Sequence, residues 1–136
     1  MRGDVDQPTV TVREVGDDGV VVAAVHGDFD VDNFREVREA LFTCLNGRAS
    51  ALVVDLADVG FFGSMGIAVL VEARQRADVV GAEFAVVAGR RTVARPIRVT
   101  DTEDLLRVHR TCDEALAAVR ERFGRTTDSG FSWWSS

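Results

Sequence analysis

One hydroxyl in this chain stands where a covalent and an electrostatic chemistry are both open to it. Ser64 lies in Phe61-Phe62-Gly63-Ser64-Met65-Gly66. Upstream, Ala51-Leu52-Val53-Val54 is a near-continuous apolar run, the pattern of a strand buried on both faces. Asp55 to Gly63 reads as turn chemistry that carries two aromatics. Downstream, Ile67, Leu70, Val71 and Ala77 recur at close to helical spacing. Ser64 therefore sits at the handover from strand and loop to helix, with the side chain of an N-cap. The positive end of a helix dipole lies there, a good place to hold or sense a phosphate. A nucleophile elbow needs a glycine two positions before the serine, and that position is Phe62. His26 and His109 are the only histidines to act as its base. Two uses remain: reversible phosphorylation that controls partner binding, or plain capping of the helix.

Other reactive side chains read more simply. His26 and His109 fall at predicted strand ends and read as ordinary polar residues. The paired acids Asp17 and Asp18, and Asp28 and Asp30, read first as solvated turns. Arg90, Arg91, Arg95 and Arg98 form a local basic cluster, either a solvated helix face or a docking site for an acidic partner or phosphate. Cys44 and Cys112 are too few for a disulfide framework and lack metal-ligand spacing. No P-loop, Rossmann glycine pattern or metal-spaced cluster is present, so no cofactor and no metal are expected.

The elements that must position these residues follow from periodicity. Thr9 to Val15 alternates as a half-buried strand, Gly16-Asp17-Asp18-Gly19 is a turn, and Val20 to Val25 is its hairpin partner. Gly27-Asp28-Phe29-Asp30 ends that strand. Phe34, Val37, Leu41 and Leu45 mark a helix from about Asp32 to Asn46, stopped by Gly47. The strand from Ala51 to Asp55 and the helix opened by Ser64 come next, then a strand from Glu83 to Ala88. Pro96 limits any helix over Arg90 to Val99 to a short or kinked one. Leu105 to His109 reads as a last short strand. Thr111-Cys112-Asp113-Glu114 fits a capping box, with Ala115, Leu116, Val119 and Phe123 as the buried stripe of a final helix. The order predicts an α/β fold: one domain, a mixed sheet with an N-terminal hairpin, and about four helices packed on it. The expected domain spans 9–123, between a disordered N-terminus over 1–8 and a flexible tail over 124–136. The tail carries Trp133 and Trp134, read either as a loose extension or as an anchor for a partner.

Composition narrows the function classes. At 136 residues, with 46% hydrophobic and 28% charged side chains, the chain has the balance of one soluble globular domain. Its net charge of -6 repels phosphate backbones and anionic lipid, which makes nucleic acid and membrane surfaces poor partners. No run is long enough for a membrane span and no signal-peptide pattern opens the chain, so a cytoplasmic location is expected.

Three separated features resemble the STAS domain, above all its bacterial anti-sigma-factor antagonists: Gly27-Asp28-Phe29-Asp30 before the first helix, Asp55-Leu-Ala-Asp-Val-Gly-Phe-Phe-Gly-Ser-Met-Gly66, and a closing helix that begins at Thr111. The resemblance covers about residues 9–123. It implies a non-enzymatic regulator, a monomer, that binds an anti-sigma factor which is also a serine kinase, so that a sigma factor is freed. The kinase phosphorylates a serine at the start of the second helix to end binding, and a phosphatase resets the switch. By motif, that serine is Ser64. Asp30 matches the acidic residue linked to binding or phosphorylation. The partner surface implied is Asp30, Gly60, Phe61, Phe62, Gly63, Met65, Gly66 and Ile67. Met65 is the residue expected to be exposed, while either phenylalanine is as readily core as surface. The family motif is Asp-Ser-Ser/Thr-Gly, whereas this chain reads Gly63-Ser64-Met65-Gly66 and so lacks the carboxylate and the second hydroxyl. The alternative use of the same scaffold is an unmodified adaptor in a stress-signalling or lipid-transport complex.

Overall fold

The computed structural model describes residues 9–122. Strands β1 (Val10–Val15) and β2 (Val20–Phe29) form the hairpin, and helix α1 (Phe34–Asn46) leads to β3 (Ala51–Phe62). Helix α2 (Ser64–Val80), strand β4 (Glu83–Val87), α3 (Arg91–Val99), the short α4 (Glu103–Leu106) and β5 (Val108–His109) follow. A last helix, α5, occupies 112–122. The strands lie in sequence order, β1-β2-β3-β4-β5. β1 runs antiparallel to β2, and every later neighbour is parallel, as strands joined through helices must be.

The apolar run at the start of β3 is buried on both faces. Leu52 and Val54 join a core with Val37, Leu41, Leu70, Val93 and Ile97 from α1, α2 and α3. Ala51 and Val53 face the opposite way and pack with Ala115 and Val119 of α5. The predicted final helix begins where the capping box put it. Thr111 Oγ1 accepts the Glu114 N–H at 3.1 Å, while the Glu114 carboxylate accepts from the Arg110 N–H at 3.3 Å, one residue before the expected donor. Phe123, the N-terminal segment 1–8 and the tail with Trp133 and Trp134 lie outside the described residues.

The largest correction is to the predicted loop from Asp55 to Gly63, which is strand as far as Phe62. β2 likewise runs past Val25 to Phe29, and the two pair beyond Asp55 as His26↔Asp58, Gly27↔Val59 and Phe29↔Phe62, with two register shifts. Glycines and aspartates in an exposed, irregular stretch look like turns in sequence, yet Leu56, Val59 and Phe62 are buried and hold the strand down. β4 stops against Asp55, so the rest of β3 projects beyond it, and α3 packs against β3 with Val93 and Ile97 buried in the shared core. Smaller corrections concern ends. α1 starts at Phe34 rather than Asp32, His26 is internal to β2, and Leu105–His109 divides into the turn of α4 and a two-residue β5.

Candidate functional site

The far ends of β2 and β3 and the start of α2 meet at one place. The Gly63 N–H donates to the Phe29 carbonyl at 3.2 Å, tying the end of β3 to the end of β2. Gly63, in extended conformation, is the N-cap of α2, and its carbonyl accepts from Gly66 and Ile67. Ser64 is therefore the first helical residue and not the cap, which corrects the capping assignment. Its side chain is exposed and, among the described residues, its hydroxyl has no hydrogen-bond partner. A hydroxyl with no local bond to give up, at the positive end of a helix of 17 residues, is free to accept a phosphoryl group.

Asp30 comes to the same spot by a separate route. Its backbone N–H donates to Asn33 Oδ1 at 3.0 Å, and the Asn33 amide donates to the Asp28 carbonyl, so Asn33 pins the turn after β2. Asp30 makes no side-chain cap for α1, whose N-cap is Asn33. Its carboxylate lies against Gly63 instead. A Cβ at position 63 would stand 2.6 Å from the Asp30 carboxyl carbon and 2.9 Å from Oδ2, closer than real side chains approach. The first turn of α2 has no acidic residue of its own, so Asp30 supplies the negative charge beside that helix end. In this chain the Asp30 carboxylate takes the space that a side chain at position 63 would need.

Beneath the serine the packing is tight. Phe29 and Phe62 meet edge to face with ring centroids 5.6 Å apart, both buried. Gly66 lies on them: a Cβ there would come within 2.6 Å of the Phe62 ring and 3.1 Å of the Phe29 carbonyl. Gly66→Ala is expected to destabilise the protein by about 1–3 kcal/mol despite alanine's better helix propensity, because a buried ring and a backbone carbonyl would have to shift to admit the methyl group. Urea unfolding measures it, and a variant as stable as the parent would show that the helix end can shift.

Burial sorts the predicted partner surface. Phe62, Gly66 and Ile67 are buried and shape the surface from below, which removes them as contact residues. Phe61 is 53% exposed, while Met65 is half-buried, the reverse of the expected order. Alternation along β3 explains it, since Phe61 points away from the face that Phe62 fills. Gly60, Phe61, Ser64 and Met65 remain as the accessible patch, with Asp30 and Gly63 half-buried at its edge.

The remaining candidates take structural positions. His26 is held between Thr11 Oγ1, at 2.9 Å, and Asp58 Oδ2, at 3.2 Å. His109 has its pKa lowered, first by burial and then by the nearby Arg122. Burial also pushes the Cys44 and Cys112 thiols up, so neither is an activated thiolate. Among the described residues no group of three or more His, Cys, Asp or Glu is placed to hold a metal ion, and no helix is long and apolar enough to cross a membrane. Sequence reasoning missed Asn33; its position just before the apolar stripe of α1 was the available signal.

Comparison with known proteins agrees with this architecture. The family model described as STAS domain matches residues 11–115. The anti-sigma-F factor antagonist RsfB of Mycobacterium tuberculosis is 31% identical over 115 residues, spanning 85% of this chain and 92% of the relative. The crystal structure of an anti-sigma factor antagonist from Mycobacterium paratuberculosis superposes with a TM-score of 0.74 at 32% identity, covering 82% of this chain and 94% of that one. SpoIIAA in its unphosphorylated form, at 17% identity, shares the fold with a TM-score of 0.69 over 82% of this chain and 96% of its own. With the hairpin, the parallel strands and the serine-headed second helix all in place across the matched span, the chain belongs to the STAS domain family.

Proposed function

We propose that this protein is an anti-sigma factor antagonist, a regulator without catalytic activity of its own. It binds an anti-sigma factor that is also a serine kinase, and so frees a sigma factor. Phosphorylation of Ser64 ends the complex and a phosphatase restores it. The observation that carries this reading is the exposed, unbonded Ser64 hydroxyl on the first residue of α2, with the Asp30 carboxylate packed beside it at Gly63. The likeness to named antagonists at 31% and 32% identity supports the partner class. The working unit is one domain over about residues 9–123, acting as a monomer in the cytoplasm.

The experiment is incubation of the full chain with its cognate kinase and ATP, followed by phosphopeptide mapping. Phosphate at Ser64 alone is the expected result. Exclusive modification elsewhere, for example at Ser50 or Thr100, would sink the assignment. Absence of any modification alongside tight binding would favour the unmodified adaptor.

Asp30→Asn separates the roles of charge and shape. The amide fills the same space beside Gly63 and leaves the backbone bond to Asn33 in place. Stability should change by no more than about 0.5 kcal/mol, as for other replacements that disturb no packing. Phosphorylation of Ser64 or affinity for the anti-sigma factor should fall clearly. A large loss of stability with normal binding would make Asp30 a purely structural residue.

A further inference from the structure

The C-terminal end of β4 opens into a second concavity, of about 410 Å³, that the reading above does not use. Helix α3 walls one side of it and the segment after β5 the other, with Gly89 and Val108 between them. Gly89 lets the two sides close in, since a Cβ there would stand 2.7 Å from the Arg110 carbonyl.

The charge in this hollow is nearly all of one sign. Arg91, Arg95, Arg98 and Arg110 line it, against Glu103 as the sole carboxylate among its lining residues. On α3, positions 91, 95 and 98 fall within about 60° of one another at 3.6 residues per turn. Val93 and Ile97 lie on the opposite side and are buried. The helix therefore anchors itself by its apolar stripe and turns a guanidinium face to the hollow. Among the described residues, none of these four guanidiniums makes a salt bridge, and only the Arg110 backbone N–H meets a carboxylate, that of Glu114 at 3.3 Å. Of the other described arginines, Arg38, Arg74, Arg120 and Arg122 each have an acidic partner, and Arg13, Arg35, Arg48, Arg76, Arg90 and Arg107 make no salt bridge, so what sets the hollow apart is that four guanidiniums gather around it. A chain of net charge -6 has carboxylates to spare, yet leaves this group unmatched.

We propose that this hollow is a binding site for a small anion bearing two or more linked phosphates. Guanidiniums present forked donors that match phosphate oxygens two at a time. Three on one helix face and one across the hollow suit a ligand with charge spread over several groups, more than a single orthophosphate. The volume fits a molecule of nucleotide size, within the usual range for small-ligand sites. The linked phosphates could belong to an inorganic oligophosphate or to a nucleoside polyphosphate. The site is independent of the Ser64 reading.

Isothermal titration calorimetry of the full chain at physiological salt tests it, with inorganic triphosphate, ATP and orthophosphate as probes. Triphosphate should bind at least tenfold more tightly than orthophosphate. The double variant R95E/R98E should lose binding at least tenfold, while R35A, which removes an exposed arginine on α1, should leave it unchanged. R95K/R98K, which keeps the charge but not the fork, should weaken binding less than the charge reversal, and it stands in if R95E/R98E fails to fold. Equal affinity for triphosphate and ATP assigns the phosphates alone, and tighter ATP assigns a nucleotide. Amide shifts on titration should centre on Gly89, Ala94, Val108 and Arg110. No binding at physiological salt, equal loss in R35A, shifts elsewhere, or tighter binding of an oligoglutamate peptide than of triphosphate would each overturn the proposal.

Discussion

Ser64→Asp is expected to lower affinity for the anti-sigma factor by about a hundredfold or more, equivalent to roughly 3 kcal/mol, while the melting temperature holds. Two consequences of one position produce this contrast. Within the protein, a negative charge on the first residue of α2 meets unsatisfied N–H groups, which favours the helix by about 0.3–1 kcal/mol. Asp30 beside Gly63 offsets part of that gain by like-charge repulsion, so the net effect on the fold is small. Across the proposed interface on Gly60, Phe61 and Met65, the same charge would have to be stripped of water with no cation on this side to receive it. Ser64→Asn, of similar size and neutral, should bind far better than Ser64→Asp. Ser64→Ala should bind normally and resist phosphorylation. Titration calorimetry with the anti-sigma factor decides the matter, and an Asp variant that binds within threefold of the parent would move the interface away from this helix end.

Phe61 and Phe62, adjacent in sequence, are expected to fail in opposite ways. Phe62→Ala removes a buried ring from the edge-to-face pair with Phe29 and from under Gly66. Such a truncation costs about 3–5 kcal/mol, a large share of the total stability of a domain this size. Phe61→Ala removes a ring that is already more than half in water, so stability should move by about 0.5 kcal/mol or less. Its cost should appear in affinity, about tenfold or more, because a large exposed apolar side chain beside Ser64 is the kind that anchors partner interfaces. Urea unfolding and calorimetry on the pair of variants test both halves. A Phe61→Ala variant that binds normally would redirect attention to Met65.

The elements with strong periodicity were legible without coordinates. The stripe Val37, Leu41 and Leu45 specified α1, and Thr111 with Glu114 marked the start of α5. The double burial of residues 51–54 also followed from their uninterrupted apolar character, and the two cores on either side bear this out. These are local properties: helical and strand periods, caps and turn residues act over a few positions and are written in the order of side chains.

The second half of β3 was not legible, because glycine and aspartate there carry the marks of a turn and the strand exists only by pairing with the far end of β2. Nor could spacing alone say that Phe61 faces water and Phe62 the core, since that depends on where the register shifts fall. The placement of the Asp30 carboxylate against Gly63 lay further out of reach, as it joins residues 33 positions apart through the ends of two strands and one hydrogen bond from the Asp30 N–H to Asn33. The sequence by itself thus determined the order of elements, the α/β class and the serine at the head of α2. Tertiary structure decided which neighbours of that serine face a partner, which carboxylate stands beside it, and which arginines gather around a common hollow. Such groupings arise from long-range pairing and packing, which no short window of sequence contains.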